Sequence, residues 1–271
     1  MSFEVTVEHI PPQAYLHLAW DTFFVKKDRG LTLESHFPWI CNNDTNVWYV
    51  MLWEEGRLIG GLSVKTFAFD GPALSIVVAA VGLVCIHEAY RGQGLSNLLL
   101  KRLVQEAKCR GIDALTLWTQ ISALYQDHGF RLADDWMYGW VELDTGPEQK
   151  GNVDVVKTAL PADVGIPPFA TSGRIYTSDS SSLTIVCDAE GEIVVACQGP
   201  DFEVINLMRS TLPQRWRINL RKSDSLYPRL EAVAKHMQLA EANLQLWRTC
   251  NTALQLQNLP QVASFKVLQR I

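Results

Sequence analysis

One segment constrains this chain more than any other: Val84-Cys85-Ile86-His87-Glu88-Ala89-Tyr90-Arg91-Gly92-Gln93-Gly94-Leu95-Ser96-Asn97. It joins residues 74–86, rich in Val, Ile and Ala and readable as a buried strand, to the clearest helix in the sequence, residues 94–110. In that helix Leu95, Leu98, Leu99, Leu103, Val104 and Ala107 fall at helical spacing, and Gly111 supplies the stop. A glycine-bearing turn between strand and helix leaves backbone N–H groups unpaired at the positive end of the helix dipole, which makes an anion cradle. Gly92 and Gly94 let the backbone approach a phosphate, and Arg91 adds a fixed charge that suits a pyrophosphate.

The cradle is not that of a dinucleotide fold. A third glycine would be needed where Asn97 stands, and an acid at the end of the following strand, whereas Asp113 precedes it. No G-K-[ST] follows, which excludes a P-loop.

The segment resembles the acetyl-CoA-binding motif of the GNAT superfamily of N-acetyltransferases, [RQ]-x-x-G-x-[GA], read here as Arg91-x-x-Gly94-x-Ser96. A second family-like signature follows at Ala123-Leu124-Tyr125-Gln126-Asp127-His128-Gly129-Phe130, and residues 50–61 resemble the family's central hairpin. The resemblance spans about residues 3–143. It implies two parallel strands that splay, with the pantetheine arm of coenzyme A pairing against Val84, Cys85 and Ile86. It also implies that amides of Gly92, Gln93, Gly94, Leu95, Ser96 and Asn97 take the pyrophosphate, beside the charge of Arg91. An amine then attacks the thioester directly, a backbone N–H stabilises the oxyanion, and Tyr125 acts as general acid. Ser96 departs from the family's Gly or Ala. The strand position that holds a catalytic Glu in some relatives falls on Trp118, and no carboxylate occurs within residues 74–86 or 114–119, so the general base stays open. The aromatic and acidic mix of residues 23–48 would suit an acceptor pocket for a cationic amine. There Asp28 and Glu34, with Trp118, are the candidate acceptor contacts. Asp127 and His128 could tune Tyr125, while His87 and Cys85 read as structural.

The fold class that follows is α+β (α/β), a GNAT-like mixed sheet flanked by helices, with a second, smaller α/β domain behind it. The boundaries read as 1–145 for the acetyl-CoA-binding domain, 146–173 for a Pro/Gly-rich linker and 174–271 for the second domain. In the second domain a hairpin, a helix, a strand (216–221), a helix (226–237) and a strand near 243–249 repeat the order of the first. HGFRLADDWMYGW (128–140) also resembles HMQLAEANLQLW (236–247), as a decayed duplication would. Its join Gln198-Gly199-Pro200-Asp201, with a residue lacking N–H and an acid at the helix start, is the reverse of an anion cradle.

Composition narrows the partners. The net charge is −5 without any long basic run, so nucleic acid is not expected. The longest uncharged apolar stretch, residues 72–86, is too short to span a bilayer, and the N-terminus does not read as a signal peptide. Scattered Cys and His show no ligand spacing, so neither metal nor disulfide is expected, and a reducing cytoplasm fits. The sequence thus points to a cytoplasmic acetyl-CoA-dependent N-acetyltransferase for a small primary amine, with a homodimer compatible. The alternatives are a non-catalytic acyl-CoA-binding or regulatory module, and an acetyltransferase for protein lysines or N-termini.

Overall fold

The computed structural model describes residues 2–25, 31–42, 44–70, 75–143 and 154–270. The chain divides into two units. The first runs to Ala133 and takes in Leu244–Phe265; the second is Asp134–Asn243 with Lys266–Gln269.

The sheet of the first unit contains β1 (Phe3–Glu8), β2 (Val47–Glu54), β3 (Arg57–Asp70), β4 (Ser75–Ile86), β5 (Ala114–Trp118), β6 (Arg131–Leu132) and β14 (Gln245–Thr249). Its order is β1-β2-β3-β4-β5-β14-β6. Only β4 and β5 run parallel; β14 is antiparallel to both β5 and β6. The sheet is covered on both faces, which is why β2 (VWYVMLWE) is a continuous apolar run rather than an alternating one. Trp48, Val50 and Leu52 pack in one core cluster, Val47, Tyr49 and Met51 in another. Helix α3 (Ser96–Cys109) buries Leu99, Leu103 and Ala107 in the first cluster at the predicted spacing, together with Leu100, while Leu98 and Val104 are partly buried against it. Each buried Leu contributes about 1.5–3 kcal/mol. Helix α1 (Gln13–Phe23) places Tyr15, Leu16 and Ala19 in the other cluster. Two short helices, α2 (Leu33–His36) and α4 (Ala123–Gln126), complete the part that bears the site.

The second unit holds β7 (Trp136–Leu143), β8 (Val156–Ala159), β9 (Ser172–Thr177), β10 (Ser182–Asp188), β11 (Gly191–Gln198), β12 (Arg215–Arg221) and β13 (Ala234–Glu241), with α5 (Asp201–Thr211) and α6 (Leu226–Val233). Its order is β13-β7-β12-β11-β10-β9-β8. Read from β8, this is the order of the first sheet shifted by seven strands. In each sheet the strand next to last in that order comes from the other half of the chain: β14 in the first, β7 in the second. The two segments whose sequences resemble one another cover β6–β7 and β13–β14, equivalent pairs in the two sheets.

Three expectations are corrected by this topology. The boundaries at 145 and 174 differ from the structural division, because β7 pairs with β12 and β13 while β14 pairs with β5. Apolar alternation says which face of a strand is buried, not which sheet receives it. The linker 146–173 is in part structured: residues 146–153 lie outside the described residues, but β8 pairs with Arg174–Thr177 of β9, Ser172 and Gly173 pair with β10, and Ala170 is fully buried. The helix read over 226–237 stops at Val233. Met237 and Leu239 then alternate toward the core as a strand, because Leu226 and Leu230 are the last buried residues at helical spacing.

Candidate active site

Parallel pairing between β4 and β5 covers only Val78–Ala114, Ala79–Leu115 and Ala80–Thr116. Beyond Ala80, β4 continues for six residues while β5 leans away toward β14, so one edge of residues 81–86 is open. Within that edge the register with β3 shifts between Gly61 and Ser63, and Leu83 adopts φ +49°. A left-handed leucine costs about 1–3 kcal/mol, and two buried hydroxyls hold it. Tyr15 Oη donates to the Leu83 carbonyl at 3.2 Å, and Ser63 Oγ to the Gly82 carbonyl at 3.1 Å.

At the end of β4 a 3-10 turn, Glu88–Tyr90, is capped by His87, whose Nδ1 accepts from the Ala89 N–H at 3.3 Å. That is the structural role expected for His87. Gly92 and Gly94 follow at φ +78° and +70°, a conformation that residues with a Cβ rarely adopt. The consequence is a run of N–H groups, from residue 92 to residue 96, with no acceptor among the described residues. Only at Asn97 and Leu98 do bonds to the Gly94 and Leu95 carbonyls begin. Arg91 is tied back by Nε to the Ile86 carbonyl at 3.0 Å, which sets its charge at the mouth of the open edge.

A cavity of about 380 Å³ joins these features. Of the predicted residues, Val84, Cys85, Ile86, Arg91, Gly92, Gly94, Leu95 and Ser96 line it. Gln93 turns its side-chain amide toward the Ala89 carbonyl, and Asn97 lines a neighbouring cavity. Thr22, Phe23, Tyr90, Ile121 and Leu124 complete the lining. Ile121 and Leu124 carry the one sequence signal that could have found them, exposed apolar side chains in a loop and on the short helix α4; Ile121 is 70% exposed. Burial pushes the Cys85 thiol up to about 12, so it stays protonated and inert at neutral pH.

Other predicted residues lie elsewhere. The Tyr125 ring packs edge-on against Phe130 within the core cluster of Leu95 and Leu99, and it does not line the cavity. Burial pushes its phenol up to about 12. Trp118 is not at the cavity: it packs against Phe265, with the Arg270 guanidinium over its ring. Glu34 is exposed on α2 and accepts from the Cys41 thiol, away from the cavity lining. Asp28 lies outside the described residues. The aromatic stretch read as an acceptor pocket is largely core instead: Phe24 stacks on His36, and both are buried with Phe37. Asp113 is structural, accepting from the Val77 N–H and from Asn251.

In the second unit, parallel pairing of β11 and β12 is also brief, but the corresponding helix start is closed. Asp201 and Glu203 in the first turn of α5 accept from Ser225 and Ser180, and a Cβ on Gly199 would collide with the Ser180 carbonyl. Among the described residues no group of three or more His, Cys, Asp or Glu could hold a metal, and no helix is long and apolar enough to cross a membrane.

An opened parallel edge that ends in a row of unpaired amides suits a ligand with an extended amide-bearing arm and a diphosphate. Residues 13–130 match the sequence model of the acetyltransferase (GNAT) family. Over that segment, which is under half of the chain, the sequence is similar to GNAT acetyltransferases, a family whose reaction is acyl transfer from acetyl-CoA as co-substrate. Solved structures agree in fold across most of the chain. A GCN5-related N-acetyltransferase from Kribbella flavida superposes with a TM-score of 0.63 at 10% identity, over 91% of this chain and 71% of that one. A second from Anabaena variabilis gives 0.61 at 13% identity, over 92% and 73%. Eis1 from Mycobacterium abscessus gives 0.59 at 13% identity, over 92% and 74%. No curated protein matches the sequence.

Proposed function

We propose that the first unit moves an acetyl group from acetyl-CoA to a primary amine of a small molecule by direct attack on the thioester. The observation that carries this reading is the run of unpaired N–H groups over residues 92–96, at the end of the strand edge that β5 leaves open. The pyrophosphate meets those amides and Arg91, and the pantetheine arm lies along residues 84–86. A backbone N–H of that edge, aimed by the Leu83 bulge, polarises the thioester carbonyl and takes the charge of the tetrahedral oxyanion. The neutral amine attacks the carbonyl carbon, the C–S bond breaks, the thiolate leaves, and the proton shed by the amine nitrogen passes to solvent.

Tyr125 is assigned as hydrogen-bond donor to that thiolate. Supporting it are its place on α4 beside the cavity-lining Leu124 and a phenol that stays protonated at neutral pH. A phenol near 12 is a weaker acid than a thiol of roughly 8.5, so its contribution is a hydrogen bond to the departing sulfur rather than complete transfer. The second unit contributes no donor cradle.

The test is coenzyme A release measured over a panel of small amines and peptides, with mass spectrometry of the products. Turnover with small amines is expected, and turnover confined to lysine- or N-terminus-bearing peptides would replace the small-molecule reading. Tyr125→Phe is expected to lower turnover about 10²-fold with acetyl-CoA affinity retained; unchanged turnover would remove Tyr125 from the mechanism.

A further inference from the structure

A second cavity, of about 460 Å³, begins where the first one ends. Ser96 lines the first and Asn97 the second, successive residues in the first turn of α3. The new cavity then follows one face of that helix through Lys101 and Gln105, spaced at the helical repeat. Its opposite wall is Asp127 and His128, just beyond α4, and Arg248 from β14. Three of these residues are bound to one another. His128 Nε2 and Asn97 Oδ1 are 2.9 Å apart, and Arg248 Nη1 donates to the His128 carbonyl, which fixes the guanidinium against the wall. Lys101 is exposed at the rim. Two permanent cations and an imidazole thus face one carboxylate in a chain whose net charge is negative.

We infer that this cavity is a phosphate-monoester subsite, formed by Lys101, His128 and Arg248, that grips the 3′-phosphate on the nucleoside end of coenzyme A. The inference rests on the donor reading of the first cavity. A diphosphate held by residues 92–96 has its nucleoside leaving past Asn97, because the other end of the donor occupies the β4 edge. A phosphate dianion there meets a point charge from Lys101 and a planar fork from Arg248. Its volume is that of small-molecule sites generally, about 300–1,000 Å³. The imidazole gives an independent signal. Burial holds the His128 pKa below its ordinary value; Arg248 and Lys101 press it the same way, and Asp127 opposes them. A dianion beside it reverses the sign of the local field.

The test is titration calorimetry of the full chain with coenzyme A, 3′-dephospho-coenzyme A and inorganic phosphate, with the His128 ring followed by NMR across pH. Coenzyme A is expected to bind roughly 10–100-fold more tightly than the dephospho form, and only coenzyme A should raise the His128 pKa. Lys101→Gln is expected to remove most of that ratio while leaving dephospho-coenzyme A affinity unchanged. Arg248→Gln should act likewise, and Lys101→Gln keeps the test decisive if the anchored arginine proves necessary for folding. Equal affinities for the two nucleotides, or a Lys101→Gln loss shared equally by both, would overturn the subsite and leave the donor reading standing. Tight binding of inorganic phosphate alone, unaffected by bound coenzyme A, would assign the site to a free anion and overturn the inference. Failure of both nucleotides to bind would overturn the donor reading itself.

Discussion

Leu83 and Tyr15 carry more of the site than their distance from the phosphate turn suggests. The left-handed residue turns the strand edge, and the buried phenol supplies its carbonyl with a partner. Removing that hydroxyl leaves a buried acceptor unsatisfied, at a cost of about 1–3 kcal/mol. Tyr15→Phe is therefore expected to lower the unfolding free energy by that amount and to lower kcat more than it raises KM for acetyl-CoA, because the bulge aims the oxyanion donor rather than gripping the nucleotide. Denaturant unfolding and steady-state kinetics check the two parts. Cys85 titrates in the opposite sense from a catalytic thiol. Its pKa rises from 9.0 to about 12 on folding, so between those values the unfolded chain has released a proton that the folded chain keeps. Stability then falls as pH rises through that window and is unaffected by this group below it. Cys85→Ala should flatten the alkaline limb of an unfolding-midpoint profile, and native Cys85 should resist alkylation while exposed Cys109 reacts. At this scale the phosphate turn was legible in the sequence, since two glycines so close together between strand and helix announce left-handed backbone. Lys101, His128 and Arg248 were not: Arg248 lies 120 positions from the carbonyl it anchors, and no local pattern brings them together.

Elements were legible where their partners are local. The period of α3 and the apolar density of β2 and β4 each follow from burial on a known face. β8 escaped because four exposed residues carry little periodicity, and β13 because Val233, Ala234 and Met237 continue the apolar spacing of α6. A different determinant stabilises the second sheet: Arg217 on β12 is 3% exposed and bonds Asp188 at the end of β10, Glu190 in the following turn and the Tyr138 hydroxyl on β7. Burial would raise the Asp188 pKa, but the Arg217 hydrogen bond and charge, with the Glu190 and Gly191 N–H groups, outweigh it and hold the carboxyl below its ordinary value. Arg217→Met strands Asp188 without its cation, and a broken pair of this kind costs about 3–5 kcal/mol when buried. The partial exposure of Asp188 places the expected loss at or below the lower end. The loss should shrink as pH falls through the carboxylate range, because the stabilisation of a depressed acid disappears on protonation. Calorimetric melts of wild type and variant at pH 4 and pH 7 would show it.

The exchange of β7 and β14 is a property of the whole chain, and it decides what can be cut away. β14 brings Gln245, Leu246 and Trp247 into the first unit, each at most 1% exposed. Trp247 packs against Phe265, Thr116 Oγ1 donates to the Leu246 carbonyl, and Gln245 Nε2 donates to Thr116 Oγ1. Loss of a buried tryptophan alone costs about 3–5 kcal/mol, against a total of about 5–15 kcal/mol for a domain. Removing the strand also strips β5 of its antiparallel partner along Ala114–Trp118, next to the edge on which the donor is proposed to lie. A chain truncated after Leu143 keeps every residue of the phosphate turn, α3 and α4. It is nevertheless expected to show no cooperative melt and no coenzyme A binding, whereas the full chain shows both. Restoring residues 244–265 as a separate peptide should recover binding in proportion to peptide concentration, since association then replaces tethering. If the truncated chain instead melts cooperatively and binds unaided, β7 has taken the slot of β14. That outcome would mean the sequence tolerates either strand in that slot, and that connection length, not side-chain fit, assigns the two strands in the full protein.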